Sequence, residues 1–431
     1  MTTLLVTSAV LAVALLALVV AHRSPRLAVV VAIAALCLLP VWVGARLGFN
    51  GNLFLPAGVL VAVAVTVALL PARGFRPSPA DAMLGLLVLL ALVSFLTDDP
   101  TLALTFLVTP FAYFVAGYAL GRMATVRLGL PQIHRIVAFA FTVVAALALV
   151  EYLTGWNPFV LLRVDGSQFA EWGTIQERGG LARAEGAFGH SIALGASLAM
   201  AIPLTIASTI RFPIRAGMVV LMLAATVVTF SRIGIISAAI GVVLTALFLR
   251  EGLERRQRAV LLGGMLVVAL AALPLVSSVF SSAGDEAADS AGYRGDLLPL
   301  IAQANLVGFS DLVQRSASGQ LSFGPFRSID SQFVLTALSS GLIALAIVLL
   351  ALLVAVVLCI RRRATAATIA LVAQIPALAT VALITQYSIV LWFVVGIAAT
   401  VQIAMRRAAA SAPAAVPVPV AGHPAHAFPS P

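Results

Sequence analysis

Residues 342–363 read LIALAIVLLALLVAVVLCIRRR, an unbroken apolar run that ends in three arginines. The hydrocarbon core of a bilayer is about 30 Å thick and takes about 20 apolar residues in a helix. Loops that remain in the cytoplasm are enriched in basic residues. This stretch therefore predicts the end of a membrane-spanning helix, with Arg361, Arg362 and Arg363 on the cytoplasmic side.

The same pattern recurs along the whole chain of 431 residues, which is 62% hydrophobic and 10% charged, with a mean hydropathy of +1.11. It predicts an all-α, polytopic integral membrane protein with about 12–13 transmembrane helices. The candidate spans are 3–21, 27–43, 55–70, 82–97, 102–121, 136–153, 187–210, 216–230, 233–249, 259–280, 330–360, 366–384 and 387–405.

The polar intervals between these runs are too short for a separate soluble domain. We expect one membrane domain over residues 1–407, with larger loops at about 154–186 and 281–328. Residues 1–21 lack a basic start and are interpreted as a first span, not as a cleaved signal peptide. Residues 408–431 are rich in alanine, proline and valine, and predict a disordered cytoplasmic tail.

The charges alternate between successive loops. The loops 211–215, 250–258 and 361–363 are each basic, whereas 154–186 and 281–328 hold most of the acidic residues, so the formal charge of +10 reflects membrane topology and not nucleic-acid binding. The basic residues are all arginine, which together with abundant alanine indicates a GC-rich bacterial genome. We therefore expect a multi-pass protein of the bacterial cytoplasmic membrane, with its N-terminus outside, its C-terminus inside and both larger loops extracytoplasmic.

Three arginines lie on the outer side, where this asymmetry does not favour them: Arg183 in RAEGAFGH (183–190), Arg232 in TFSRIG and Arg294 in YRGDLL. A guanidinium holds phosphate by charge-assisted, often bidentate hydrogen bonds. These residues are candidate ligands of a phosphate or pyrophosphate. The alternatives are a salt bridge of Arg183 with Glu185, a salt bridge of Arg294 with Asp296, and an Arg232 side chain that reaches lipid headgroups.

Four segments in this order resemble the O-antigen ligase and O-antigen polymerase superfamily of membrane glycosyltransferases. They are RAEGAFGHSIALGASLAMAIPL (183–204), TFSRIGIISAAIG (229–241), YRGDLLPLIAQANLVGF (293–309) and SIDSQFVLTALSSGLIAL (328–345). The resemblance covers about residues 180–360. It implies a GT-C-like fold that transfers a glycan from an undecaprenyl-pyrophosphate carrier to a lipid, glycan or protein acceptor, with the active site facing the extracytoplasmic side.

The resemblance also implies site residues. Arg183, Arg232 and Arg294 correspond to the arginines of the family's outer cavity. Relatives usually show a histidine and an asparagine where this chain has Asp330 and Ser331, so Asp330 is the candidate general base, with His190 and Glu185 as the other candidates. An N-cap role for Asp330 stays open.

No cofactor is expected, because the arginines would stabilise the leaving pyrophosphate in an inverting, metal-independent reaction. The acidic run with Asp285, Glu286 and Asp289 fits no metal-binding loop and is interpreted as a solvated loop.

Three more function classes compete with the transferase. A transporter or flippase of lipid-linked oligosaccharide also needs many spans around a charged cavity, but should show inverted repeats, which the sequence does not reveal. A peptidoglycan polymerase should carry signature loops that are not apparent. A membrane scaffold leaves the outward arginines unexplained.

Overall fold

The computed structural model of the chain describes residues 2–47, 53–70, 74–96, 111–164, 166–249, 253–282, 284, 286–315, 321–326 and 328–411. The described part of the chain is mostly helical, with 76% of its residues in helices. The described α-helices are α1 Thr2–Arg23, α2 Pro25–Leu38, α3 Ala57–Ala68, α4 Pro79–Leu96, α5 Ala116–Leu128, α6 Leu130–Thr154, α7 Gly166–Trp172, α8 Ser191–Ile206, α9 Phe212–Val228, α10 Arg232–Phe248, α11 Arg255–Ser282, α12 Glu286–Leu297, α13 Gln332–Ser340, α14 Leu342–Ile360, α15 Ala366–Ala373, α16 Ile375–Thr380 and α17 Thr385–Ser411.

In the part of the chain that the structure describes, three two-stranded antiparallel hairpins accompany the helices, a feature that the all-α prediction did not include. They pair β1 Gly44–Leu47 with β2 Leu53–Pro56, β3 Glu177–Arg178 with β4 Leu181–Ala182, and β5 Val313–Arg315 with β6 Leu321–Phe323. Each hairpin lies in a connection between helices. Strands of two to four residues are too short to produce a recognisable alternating pattern in the sequence.

Four helices of the described chain are long and apolar enough to cross a membrane. They are Leu130–Thr154, Arg255–Ser282, Leu342–Ile360 and, within α17, Thr385–Arg407. Several of the remaining predicted spans correspond to apolar helices of 10–17 residues. Spanning helices have about 17–25 residues, so the longest of these helices lie at the lower limit of that range and the others lie below it.

Helix α8 lies at the centre of the bundle. Nearly all of its residues are buried, and it packs against α6, α9, α10, α15 and α17. Glycines allow the closest of these contacts: a Cβ added to Gly234 of α10 would lie 3.0 Å from the Cα of Gly195. This close crossing holds the first turn of α10, which carries Arg232, beside the first half of α8, the helix that directly follows His190 in the chain.

The predicted span 330–360 consists of two helices, α13 and α14, which meet at Gly341. This glycine has a φ of 92°, and its Cα faces the backbone of Leu306, so that an added Cβ would lie 2.5 Å from the Leu306 carbonyl oxygen. The amide of Leu342 donates to the Asn305 carbonyl oxygen at 2.9 Å. A segment distant in the sequence therefore causes the break.

The predicted span 366–384 is also interrupted. Helix α15 ends at Ala373, α16 covers Ile375–Thr380, and extended backbone follows at Val381. Pro376 is in the first turn of α16, where its missing N–H is tolerated but a continuous helix through it is not. The span therefore becomes two short helices and a non-helical connection to α17.

The predicted loop 281–328 is structured where it is described. Helix α12 continues into a 3₁₀ turn at Leu298–Gln303, and their apolar side chains form a small core with α13. That core contains Leu297, Leu300, Phe309, Phe323, Ile329, Val334 and Leu338. Arg294 lies in the last turn of α12, which begins at Glu286.

Some predicted segments lie partly outside the described residues. Residues 102–110 of the predicted span 102–121 are not described, and the following residues form a π-helical turn and α5. The predicted tail begins at 408, whereas α17 continues to Ser411 and residues 412–431 are not described.

Candidate functional site

The turn between α9 and α10 is the structural centre of the candidate site. Helix α9 ends at Val228, and Phe230 in the turn has a φ of 46°, a backbone conformation that is uncommon for a residue with a large side chain. Ser231 is the N-cap of α10, and its hydroxyl accepts from the Gly234 amide at 3.1 Å. The carbonyl groups of Thr229 and Phe230, at the end of α9, thus lie close in the chain to Arg232, the first residue of α10.

Two arginines of the preceding loop bind these carbonyl groups. The Nε of Arg183 donates to the Thr229 carbonyl oxygen at 2.9 Å, and the Nη1 of Arg178 donates to the Phe230 carbonyl oxygen at 3.0 Å. A cation at a helix C-terminus satisfies free carbonyls and stabilises the helix dipole. Arg183 is only 6% exposed, so it is positioned to hold the turn.

Arg232 has a different environment, because its side chain is exposed. Its guanidinium carbon lies 4.3 Å from the centroid of the Phe280 ring, and that of Arg178 lies 5.9 Å from the same centroid. Among the described residues, no carboxylate lies within ion-pair distance of Arg232. Two guanidinium groups therefore flank one aromatic ring, and that of Arg232 is open to an anion.

Glu185 lies deeper in the same loop and is 2% exposed. Its carboxylate accepts from the backbone amide of Gln176 at 3.2 Å. Burial raises the pKa of Glu185 to about 7, a rise that nearby Glu151 increases and that Arg183 and hydrogen bonds from Gln176 and Ser191 oppose. Near neutral pH this carboxyl group is therefore divided between its protonated and ionised forms.

A second buried carboxylate supports the loop from α6. Glu151 accepts from the backbone amide of Gly186 at 2.8 Å and from that of Glu185 at 3.2 Å, and from the side-chain amide of Asn157 at 2.8 Å. These bonds hold the backbone of RAEGAFGH against the C-terminal turn of α6. Glu151 thus has a structural explanation, which its position near the end of a predicted span did not reveal.

His190 is the N-cap of α8. The helix begins at Ser191, four residues after the predicted start at Ala187, and His190 precedes it. The Nδ1 atom accepts from the Ile192 amide at 3.2 Å. Burial, with a smaller contribution from Arg183, lowers the pKa of His190 to about 4, so the ring is neutral at pH 7. Since Nδ1 is an acceptor, the proton is on Nε2, and the remaining ring nitrogen is a donor.

Arg294 and the segment that carries Asp330 both contact a second position, residues 380–383. The Nε of Arg294 donates to the Thr380 carbonyl oxygen at 3.2 Å. Two residues beyond Asp330, the backbone amide of Gln332 donates to the Val381 carbonyl oxygen at 3.2 Å. The connection between α16 and α17 therefore joins the arginine to the segment that carries the carboxylate.

The surroundings of Asp330 leave its carboxylate partly accessible. Ser328 donates its hydroxyl to Oδ1 of Asp330 at 2.8 Å, and Tyr293 donates its hydroxyl to the Ser328 carbonyl oxygen. Burial, and to a smaller extent the charge of Asp330, raises the pKa of Tyr293. The N-cap of α13 is Ser331, whose hydroxyl accepts from the Val334 amide, so the N-cap interpretation of Asp330 is wrong.

The predicted residues thus form two groups. Arg183, Glu185 and His190 lie in one loop, which contacts the α9–α10 turn beside Arg232, whereas Arg294 and the segment that carries Asp330 contact residues 380–383. The groups are linked by packing, because α16, which ends at Thr380, contacts α10, which begins at Arg232.

Several residues of these groups were missed by sequence reasoning. Arg178 could have been found as a further arginine of the predicted extracytoplasmic loop 154–186, and Tyr293 as the neighbour of Arg294, whereas Phe280 carried no sequence signal. Within the described residues, no group of three or more histidine, cysteine or acidic residues is arranged to hold a metal ion. Asp285 and the side chains of Glu286 and Asp289 lie outside the described part of the chain.

Comparison with family models, with curated proteins and with solved structures found no match to this chain.

Proposed function

We propose that the protein is a membrane glycosyltransferase that moves a glycan from an undecaprenyl-pyrophosphate carrier to an acceptor on the extracytoplasmic side of the bacterial cytoplasmic membrane. In this proposal the chain has a GT-C-like arrangement of about 12–13 spans, and the acceptor distinguishes a ligase from a polymerase. The observation that carries the proposal is the exposed Arg232, which lies with Arg178 against Phe280 and has no carboxylate partner among the described residues.

The outer arginines have separate tasks. Arg232 is the pyrophosphate ligand at the first group, and Arg183 is a positioning residue, since its Nε bond to Thr229 holds the turn from which Arg232 projects. Arg294 is the pyrophosphate ligand at the second group. A donor that contacts both Arg232 and Arg294 would lie across the contact between α10 and α16.

Asp330 is the general base of the proposed reaction. It takes the proton from an acceptor hydroxyl as that oxygen forms a bond to the anomeric carbon of the donor sugar. The bond from this carbon to the pyrophosphate oxygen breaks, and undecaprenyl pyrophosphate leaves with the electron pair. Arg232 and Arg294 stabilise the charge that develops on the leaving group, the role that a divalent cation has in other transferases.

Glu185 and His190 are less suited to the base role in the described geometry. The carboxyl group of Glu185 is buried and engaged by the Gln176 amide. His190 has its acceptor nitrogen occupied by the Ile192 amide. Asp330 is half-buried and accepts a single described hydrogen bond, from Ser328, so its carboxylate has the greatest freedom to contact an acceptor.

Transport of a lipid-linked oligosaccharide is a second candidate, and one observation favours it. The predicted span 366–384 is interrupted twice, and the buried side chains of Gln374 and Tyr387 meet at the interruption, where the tyrosine hydroxyl donates to Oε1 of Gln374 at 3.1 Å. Interrupted helices with polar groups at mid-membrane are typical of transporter binding sites.

Gene deletion tests the proposal and separates the two candidates. In the deletion strain we expect an undecaprenyl-pyrophosphate-linked glycan to accumulate and a surface glycan to disappear, as measured by mass spectrometry of lipid and envelope extracts. A transferase leaves the accumulated glycan on the outer leaflet, where periodate added to intact cells oxidises it. A flippase leaves it on the inner leaflet, protected from the reagent.

Complementation then tests the site. We expect the wild type to restore the surface glycan. The control Arg406→Ala, which changes an exposed arginine of α17, should restore it too. Arg232→Ala and Arg294→Ala should not, although they are produced at equal membrane levels. Asp330→Asn should slow transfer while the purified protein still binds farnesyl pyrophosphate with an unchanged Kd. An unaltered lipid-linked glycan pool in the deletion strain would reject the transferase and the transporter together.

A further inference from the structure

A groove between α2, α6 and the start of α9 is not used by the proposed reaction. It encloses a cavity of about 700 Å³. Its residues come from α2, from the N-terminal half of α6 and from the α8–α9 connection. Because RAEGAFGH follows the C-terminus of α6 and precedes the N-terminus of α8, the groove lies toward the opposite ends of these two helices. The volume is in the range of sites that bind small organic ligands.

Arginines define one end of the groove. Arg26 is in the first turn of α2, Arg135 is in the second turn of α6, and Arg211 is the N-cap of α9. All three side chains are exposed, and in the described part of the chain none of them has a carboxylate within ion-pair distance. Gln132 and Thr209 add neutral hydrogen-bonding groups at the same end. The groove end therefore has an excess of positive charge.

The remainder of the groove is apolar. Val30, Ala34 and Leu38 follow one another at intervals of four residues along α2, and Phe139 and Val143 do so along α6. Several of these side chains are open: Phe139 is 56% exposed and Val143 is 48% exposed. Since a helix rises about 1.5 Å per residue, the apolar wall extends roughly 12–18 Å from the arginines.

We propose that this groove binds an anionic phospholipid of the surrounding leaflet. The phosphate lies between Arg26, Arg135 and Arg211, and an acyl chain lies along the apolar wall. Separation of the charged end from the apolar end along the helix axis fits a lipid better than a free anion, which would gain nothing from Phe139 and Val143. Basic pockets between transmembrane helices at the cytoplasmic surface are known binding sites for anionic headgroups.

This lipid site is independent of the donor site. Arg215 illustrates the difference between a structural arginine and a groove arginine in the same region: its Nη1 donates to the Ser208 carbonyl oxygen at 2.7 Å, and its side chain is buried. Arg211, four residues earlier, lines the groove. A lipid held there would join α2, α6 and α9 and so stabilise the half of the bundle that is remote from the reaction.

Native mass spectrometry of the purified full-length protein with phosphatidylglycerol measures this binding. We expect phosphatidylglycerol to bind in preference to phosphatidylcholine. The triple variant Arg26→Ala, Arg135→Ala, Arg211→Ala should raise the apparent Kd for phosphatidylglycerol on the order of a hundredfold. The matched control removes three different exposed arginines, Arg361, Arg363 and Arg406, and should keep the Kd of the wild type.

Ala34→Trp tests the groove without a change in charge, because a large side chain there fills the apolar wall. We expect it to weaken phosphatidylglycerol binding while the protein elutes as the wild type in size exclusion. Glycerophosphoglycerol, which has the same headgroup but no acyl chains, should not compete. Equal losses in both triple variants, or competition by glycerophosphoglycerol together with an inert Ala34→Trp, would overturn the lipid proposal.

Discussion

The guanidinium of Arg232 lies 4.3 Å from the centre of the Phe280 ring, which joins the first residue of α10 to the end of α11. A cation over an aromatic face gains about 0.5–2 kcal/mol, with the larger values at desolvated sites. The contact leaves the hydrogen-bonding edge of the guanidinium available. Phe280 thus orients Arg232 without neutralising it, which suits its proposed role as an anion ligand.

Substitutions of Phe280 should therefore change pyrophosphate binding in the order of their cation–π strength. We expect Phe280→Trp to keep the Kd for farnesyl pyrophosphate close to wild type and Phe280→Leu to raise it about threefold to tenfold. Isothermal titration calorimetry of the purified protein measures both. A Phe280→Leu variant that binds as tightly as wild type would show that the ring does not position Arg232.

Glu185 should make the stability of the protein depend on pH. Its pKa rises from an ordinary value near 4.5 to about 7 in the folded state, because burial disfavours the charged form. Since the folded pKa is the higher one, this contribution is fully present below pH 4.5 and is lost as the pH rises through 7. The loss amounts to about 3 kcal/mol at most.

Replacing Glu185 with glutamine should remove that dependence. We expect Glu185→Gln to differ little from wild type at about pH 5 and to unfold at a higher temperature than wild type at about pH 8, as measured by fluorescence-detected size exclusion after heating. A difference between the two proteins that stays constant over this pH range would contradict the raised pKa.

His190 should act in the opposite sense at lower pH. Burial lowers its folded pKa from 6.5 to about 4, so its contribution to stability is present above pH 6.5 and is lost as the pH falls through 4. The hydrogen bond that Nδ1 of His190 accepts at the N-cap is a separate contribution to stability. It persists as long as the ring is neutral.

Two substitutions separate the cap from the charge. Asparagine caps helices well and does not titrate, so we expect His190→Asn to match wild type at about pH 7.5 and to resist unfolding better at about pH 4.5, in the same heating measurement. His190→Ala should lose about 1 kcal/mol at neutral pH because it lacks the cap. If His190→Asn were as acid-sensitive as wild type, another group would be responsible for the acid effect.

Helix positions were the part of the fold that could be predicted best from the sequence. The apolar run 233–249 corresponds to α10, and 3–21 corresponds to α1, because continuous apolar composition is a property of the local chain. The break at Gly341 was not predictable in this way. It depends on the backbone of Leu306, which the sequence does not place beside it.

The candidate site was predictable to a smaller extent. Arg183 and Arg232 were singled out by the same argument from charge asymmetry, yet one is buried on the Thr229 carbonyl group and the other is exposed. Their difference arises from the path of the α9–α10 turn. Phe280 lies in a different helix from Arg232, and no periodicity in either helix indicates their contact.

The crossing of α8 and α10 offers a direct test of what holds that turn in place. A Cβ on Gly234 would lie 3.0 Å from the Cα and 3.1 Å from the carbonyl carbon of Gly195, atoms that can move only with their helix. We expect Gly234→Ala to destabilise the protein by about 1–3 kcal/mol and to weaken farnesyl pyrophosphate binding, since Arg232 belongs to the same helical turn.

Gly217 provides the matched control for this substitution. It lies within α9, and an added Cβ would meet no atom within 4 Å. There alanine gains helix propensity without a steric cost, so Gly217→Ala should leave the unfolding temperature unchanged or raise it, and leave binding unchanged. If Gly234→Ala were tolerated as well as Gly217→Ala, the close crossing could not be what fixes Arg232, and the Arg178, Arg183 and Phe280 contacts would have to hold the turn alone.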